Sequence, residues 1–351
     1  MTHGRQGTIL VLSEEDDVTA ELVVDKLRGD GEPVVLMQTG SFPLTMGLTA
    51  EYRGSKWAAE LELADGARVD LDSVRSIWNR RPGSFTFQNG LSPESLAFVK
   101  AEAKQALTGA LHSSRCQWIN PPQQESIARY KPLQLRIAQQ IGLEIPDTLI
   151  TSSPEAARRF WDAHDGNVIY KRLSSASLYD ERGGLTQPLT TLVSEEMAAR
   201  LDQVSVTPCL FQEFVPKAYE LRVTIVDDLI VAARIDSQAS ERTRVDWRPG
   251  AGEMLWTEHE LPVAIRLALR RLMGALGLVF GAIDIVVTPA GRYVFLEVNP
   301  SGQWAWFPEP ITNRIRDRLA AVLAAGVVAS EVGGEAPVVA GSDSIARSSA
   351  L

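Results

Sequence analysis

The 351-residue chain carries 35 Lys and Arg against 44 Asp and Glu, a formal net charge of -9. That length can bury a large core and hold two or three structural units without disulfides or structural metals. The acidic balance argues against a broad phosphate-backbone surface, which needs clustered Lys and Arg, so nucleic acid is not an expected partner.

The opening "MTHGRQGTILVLSEEDD" has too short an apolar run to serve as a secretory segment. Its "GTILVLS" predicts a buried parallel strand, followed by an amphipathic helix ending near Gly29 and a second strand. "EEDD" after the first strand lacks the glycine-rich turn of a dinucleotide fold. A hairpin is expected around Asp65-Gly66, then a strand ending at Arg80-Arg81-Pro82, a helix from about Pro93 to Leu111, and an apolar stretch through Trp118. Together they predict a small α/β unit over residues 1–120.

A second unit is expected over 121–215. It comprises a helix stopped at Gly142, a strand before Ser152, a helix through Phe160 and Trp161, the extended "NVIYKRL", and a strand in "SVTPCLFQEFV". The polar, Gly-containing "SSASLYDERGGLTQPL" suits a mobile loop. A third unit, 216–330, contains strands in "ELRVTIVDDLIVAARI", "GAIDIVVT" and "RYVFLEV", with Ile265, Leu269, Leu272 and Leu276 at helical spacing. Residues 331–351 read as a flexible tail. "LAAVLAAGVVA" near residue 320 is too short to span a bilayer, so no membrane partner is expected. Two distant cysteines, Cys116 and Cys209, suit a reducing cytoplasm, and His3, His112, His164 and His259 are too scattered to suggest a preassembled zinc site.

The strongest local signal is "GAIDIVVTPAGRYVFLEVNPSG". A two-residue turn at Ala290-Gly291 would set Asp284 opposite Glu297, Val286 opposite Phe295 and Thr288 opposite Tyr293. Alternation then brings Asn299 to the same face as the two acids. Directly opposed side chains have Cβ atoms about 4.5–5.5 Å apart. Two carboxylates that close repel unless neutralised, and a divalent cation resolves this with Asn299 as a further oxygen ligand. Ordinary solvated acids on a half-exposed hairpin are the alternative. Lys131, Lys171 at the end of "VIYK", Gln212-Glu213-Phe214-Val215, and Glu220 with Arg222 complete the set of singled-out residues.

The order N-P…K, V-I-Y-K, F-Q-E-F-V, E-L-R-V and D…E-V-N-P-S-G resembles an ATP-grasp carboxylate-amine or carboxylate-hydroxyl ligase over about residues 120–325. The resemblance implies an α/β ATP-grasp fold behind an N-terminal pre-ATP-grasp domain. "VRSIWNRRP", residues 74–82, together with overall length, is similar to the macrocyclases that mature ribosomally made peptides, microviridin-type enzymes included. The resemblance implies ATP and Mg2+ as cofactors, Lys131 and Lys171 on the phosphates, and Gln212, Glu213, Phe214 and Val215 at the adenine hinge with Glu220 near the ribose. It further implies Arg222, with Arg234 as a second contributor, at the phosphates or acyl phosphate, and Asp284, Glu297 and Asn299 on magnesium. The partner would be a precursor peptide with leader and core, the leader recognised around residues 186–201, and the assembly a homodimer. Arg80 and Arg81 are expected either to hold an acidic peptide core or to form surface salt bridges. Trp304 and Trp306 either face the acceptor cavity or pack. A ligase for amino acids or other small carboxylates uses the same motifs, and a non-catalytic nucleotide-binding regulator keeps the fold without turnover.

Overall fold

The computed structural model describes residues 7–174, 178–179, 185–186, 189–250 and 256–326, so the expected tail and most of the "SSASLYDERGG" loop lie outside the described residues. β1 (Thr8–Ser13) is a strand buried on both faces, with Ile9, Leu10, Val11 and Leu12 all in the core. α1 (Val18–Gly29) begins where the Asp17 carboxylate accepts from the amides of Thr19 and Ala20. There follow β2 (Val34–Gln38), β3 (Gly47–Arg53), β4 (Lys56–Glu62), β5 (Arg68–Asp70), β6 (Val74–Asn79), α2 (Pro93–Ser113) and β7 (Gln117–Ile119). The order β2-β1-β6-β7 makes a parallel sheet, and β3-β4-β5 a separate antiparallel one whose second turn is the expected Asp65-Gly66 hairpin. The sequence reading contains no β3. All but one of that strand's residues are exposed, so it shows no apolar alternation.

α3 (Pro122–Ala128) and α4 (Lys131–Ile141) come next, α4 closing on Gly142 in the left-handed conformation. β8 (Thr148–Thr151), α5 (Pro154–Ala163), β9 (Val168–Lys171), β10 (Leu178–Tyr179), β11 (Leu185–Thr186), β12 (Thr191–Leu192), α6 (Glu195–Ala198) and β13 (Cys209–Glu213) follow. The central sheet runs β12-β9-β13-β8, all antiparallel. Its core is small and its own: Ala157, Val168, Val193, Leu201, Val204 and Phe211.

β14 (Tyr219–Val226), β15 (Leu229–Ile235), β16 (Trp256–His259), α7 (Val263–Leu276), β17 (Phe280–Val287), β18 (Tyr293–Asn299) and α8 (Glu309–Ala325) complete the chain. The five-stranded antiparallel sheet has the order β16-β15-β14-β17-β18. One face packs on α7 and, through Ala128, Leu135 and Ala138, on α3 and α4. Residues 122–141 therefore pack with this sheet, although the sequence reading grouped them with the central unit. The other face packs on α8, which also touches α1 and β6 of the first unit. Among the described residues no helix is long and apolar enough to cross a membrane.

Candidate active site between two sheets

β17 and β18 bring Asp284 opposite Glu297, with Asn299 two residues along the same face, although the turn differs from the one expected. The loop has three residues, Pro289, Ala290 and Gly291. The Gly291 amide donates to the Thr288 carbonyl at 2.8 Å, and Gly291 takes φ +77°, which a residue without a Cβ adopts at little cost. This shifts the outer register by one, so Ile285 faces Phe295 and Val287 faces Tyr293. A bulge between Asp284 and Ile285 then restores the register at the acids.

Arg222 on β14 lies directly across from Asp284, and its Nη1 donates to both carboxylate oxygens at 2.9 and 3.0 Å. Lys131, the first residue of α4, pairs with Glu297. Lys171, at the end of β9, faces them from the central sheet. Burial pulls its pKa down, the Glu297 charge works against this, and Lys131 and Lys217 push it further down. Burial pushes the Asp284 carboxyl up, with Arg222 opposing and Glu297 adding. Burial acts in the same direction on Glu297, but Lys131 and Lys171 outweigh it and hold that carboxyl at about 2. Three hard oxygen donors on one face, one with an ionised form disfavoured by burial, fit a divalent cation of the magnesium type. The lysines around them fit phosphate.

The segment expected at the adenine hinge, Gln212 to Val215, spans the end of β13 and the two residues after it. Gln212 is buried, and its Oε1 has no partner among the described residues although its Nε2 donates to Thr148. It pairs with Ile169 and so shares a face with Lys171. The amides of Glu213 and Phe214 donate to the carbonyls of Asp147 and Asn167. The hinge amide with no bond among the described residues is that of Val215, whose side chain packs with Val286, Val294 and Leu296 on the cleft side of the large sheet. Glu220 is buried and bonded to Lys217, whose Nζ also donates to the Val245 carbonyl at 2.8 Å. Burial raises the Glu220 carboxyl while Lys217 lowers it. Lys217 is absent from the sequence reading. It lies on an irregular connection between strands, where no periodicity marks it.

The expectations for Arg80 and Arg234 need correction, while Arg81 and Trp304 fall within the alternatives given for them. Arg80 is fully buried and holds no free face for a peptide: its Nε pairs with Asp17 at 3.0 Å, Nη1 donates to the Ser301 carbonyl at 2.6 Å, and Nη2 donates to Gln303 Oε1 at 2.8 Å. Arg81 is exposed, 3.6 Å from Glu14, as a surface pair. Arg234 pairs across from Leu221, not Arg222, so it lies on the opposite face from the acids, with its guanidinium 4.0 Å from the Tyr219 ring centroid and bonded to Asp236. The two-residue Asp227-Asp228 loop makes that parity calculable from sequence: Val226 faces Leu229, hence Leu221 faces Arg234. Trp304 is core, while Trp306 is part-exposed and packs edge-on against Trp247. Among the described residues one histidine, His164, meets two acids in space, Asp147 and Glu213 at the end of β13. The bond from His164 to the Phe160 carbonyl raises that imidazole's pKa, and Asp147 adds to it against burial, so the trio is accounted for as a charge pair.

The turn after Asn299 is gripped from the first unit and from α3. Besides Arg80, Asn120 donates to the Pro300 carbonyl at 2.9 Å, and the Ser301 hydroxyl bonds Glu125. Gly302 is required there, because a Cβ would lie 2.4 Å from Ala282 Cβ and 2.6 Å from Arg222 Nη2.

A family model described as the MvdD pre-ATP grasp domain matches residues 8–126. No curated protein matches. Among solved structures, a RiPP-associated ATP-grasp ligase from Chryseobacterium gregarium, in complex with ADP and a leader and core peptide, is 28% identical with a TM-score of 0.84, covering 91% of this chain and 97% of that one. Macrocyclase MdnC from Microcystis aeruginosa MRC, bound with precursor peptide MdnA, is 29% identical with a TM-score of 0.81 over 91% of this chain and 100% of its own. Macrocyclase MdnB from the same organism is 29% identical with a TM-score of 0.72 over 90% and 99%.

Proposed function

We propose that this chain, which has the ATP-grasp fold behind a pre-ATP-grasp domain and matches the peptide macrocyclases in structure, is an ATP-dependent macrocyclase of a ribosomal precursor peptide. It joins Asp or Glu side-chain carboxylates to Thr or Ser hydroxyls, or to Lys amines, giving lactones or lactams. The cross-strand Asp284–Glu297 pair facing Lys131, Lys171 and Arg222 in one cleft supports the ATP-dependent ligase part of this reading, and the match over nine-tenths of the chain to macrocyclases and a peptide-bound ligase supports the peptide substrate.

Carboxylates do not condense with alcohols or amines unaided, because their oxygen is a poor leaving group. A peptide carboxylate oxygen takes the γ-phosphoryl group, the bond to ADP breaks, and an acyl phosphate forms. The hydroxyl or amine then attacks the acyl carbon, the carbon–oxygen bond to phosphate breaks, and the nucleophile's proton leaves to solvent. Asp284, Glu297 and Asn299 would hold Mg2+, which supplies Lewis-acid charge at the phosphates. Lys131, Lys171 and Arg222 oppose the charge developing on the transferring oxygens. The Val215 amide and the unpartnered Gln212 Oε1 supply one donor and one acceptor for the adenine edge.

A homodimer in a reducing cytoplasm belongs to the same reading; two unpaired cysteines support the compartment, burial pushing the Cys116 thiol up to about 12. Incubation with a candidate Thr/Glu/Asp-rich precursor, with and without ATP, should lower the product mass by ~18 Da per ring, one water lost per condensation. Precursors that stay linear while a free amino acid is ligated would replace this reading with a small-molecule ligase.

A further inference from the structure

The mechanism above provides cations for the nucleotide but none for the peptide's own carboxylate. We propose that Arg248 is the anchor for the reacting Asp or Glu carboxylate of the substrate, and that Asp246 is the positioning residue that aims it; the proposal rests on the ligase reading.

Both residues lie on the connection between β15 and β16, and four contacts fasten that segment. The Val245 carbonyl accepts from Lys217 Nζ at 2.8 Å, which ties it to the cleft cations. Asp246 is buried and accepts from the Thr190 amide at 2.9 Å, which ties it to the central unit just before β12. Trp247 is buried edge-on against Trp256 and Trp306. Asp246 Oδ1 accepts from the Arg248 amide at 3.1 Å and from its Nε at 2.8 Å, while Oδ2 accepts from Nη2.

So fixed, the Arg248 side chain remains 41% exposed. A guanidinium has two forked edges, and Asp246 occupies the one formed by Nε and Nη2. The end-on edge of Nη1 and the second Nη2 hydrogen has no partner among the described residues, and it is the edge that matches a carboxylate with two parallel hydrogen bonds. Its bond to Asp246 raises the guanidinium's pKa against burial, and the charges of Glu297 and Asp284 act in the same direction. Lys131, Lys171 and Arg222 already meet those acids from α4, β9 and β14. A fourth cation arriving from a different segment, at the border with the central unit, is placed for the second reactant. By holding the carboxylate before phosphoryl transfer and the carbonyl side of the acyl phosphate afterwards, it would act in both half-reactions.

The test compares wild type with Arg248→Ala, Arg248→Lys and Asp246→Asn, measuring ring formation on the full-length precursor, binding of a non-hydrolysable ATP analogue with Mg2+, and thermal midpoint. Loss of one preorganised donor to a reacting oxyanion should lower kcat/KM of Arg248→Ala by about 100-fold with analogue affinity unchanged. Lysine, a point charge without the fork, should recover little of this. Asp246→Asn should raise KM for the precursor more than it lowers kcat, because the anchor is loosened and not removed. Unchanged kcat/KM in Arg248→Ala, or a parallel loss of analogue affinity, overturns the proposal. Should wild type ligate a free amino acid instead, the peptide reading falls, and the anchor is then judged by the same kinetic split for that carboxylate.

Discussion

Asp284 and Glu297 face each other across two strands, yet their environments push them apart: burial holds the first carboxyl above the ordinary range, and two lysines hold the second at about 2. Replacing either by Ala should lower ATP-dependent turnover by about 100-fold or more while far-ultraviolet dichroism stays unchanged, since each removes a ligand from the proposed magnesium site. The asymmetry also has a pH signature. As pH falls, the carboxyl with the raised pKa protonates before an ordinary aspartate would, so Asp284 should set the acidic limb of turnover at limiting Mg2+. Metal and proton compete for the same oxygens, hence raising Mg2+ should move that limb to lower pH. A limb that stays fixed across Mg2+ concentrations would remove Asp284 from the metal site. The acid pair was legible only in part: alternation put both acids on one hairpin, but the expected turn was one residue short, and a bulge that no local pattern announces restores their pairing. The burial of Arg80 was not legible, because its partners Asp17, Ser301 and Gln303 lie far away in sequence and no local pattern announces them.

At the scale of elements, the turn from Asn299 to Gln303 matters as much as the strand that precedes it. Asn299 Oδ1 accepts from the Ser301 amide at 3.0 Å, so the shape of the turn sets the orientation of a metal-face side chain, while Arg80, Asn120 and Glu125 grip the turn from outside. Gly302→Ala should shift this turn against Ala282 and Arg222, destabilise the fold by about 1–3 kcal/mol in urea titration, and weaken Mg2+-nucleotide binding beyond what that loss explains. Arg80→Ala leaves Asp17 as an unpaired buried charge and should cost about 3–5 kcal/mol. Arg81→Ala, at an exposed pair, should stay within about 0.5 kcal/mol. Equal effects of the two arginine substitutions would contradict the buried role of Arg80. In "NRRP" the work expected of the first arginine was wrong, because a double arginine before proline reads the same whether solvent or a distant turn receives it.

On the scale of the whole molecule, the first unit and the large sheet are not separable bodies. One continuous apolar cluster runs from Ile9, Val23 and Trp78 through α8 to Val231, Ile235 and Trp304, so cutting the chain near residue 120 would expose both halves of a core. The boundaries at 120 and 215 follow the order of sheets along the chain, but cooperativity follows shared burial, which a linear reading does not contain. The central sheet is different: its cluster is small and closed on itself. Calorimetry of the whole protein should therefore resolve two transitions, a larger one for the first unit with the large sheet and a smaller one for the central sheet with α5. Nucleotide and Mg2+ bind between the two bodies in the proposed reading, touching Lys171 and Val215 on one side and Asp284 and Glu297 on the other. Binding should raise the smaller transition toward the larger, in proportion to ligand excess, because any ligand that requires both bodies folded stabilises the weaker one. Asp284→Ala should abolish that convergence while leaving both transitions visible without ligand. A single transition in the apo protein, or ligand acting on the larger one alone, would place the nucleotide elsewhere than between the two sheets.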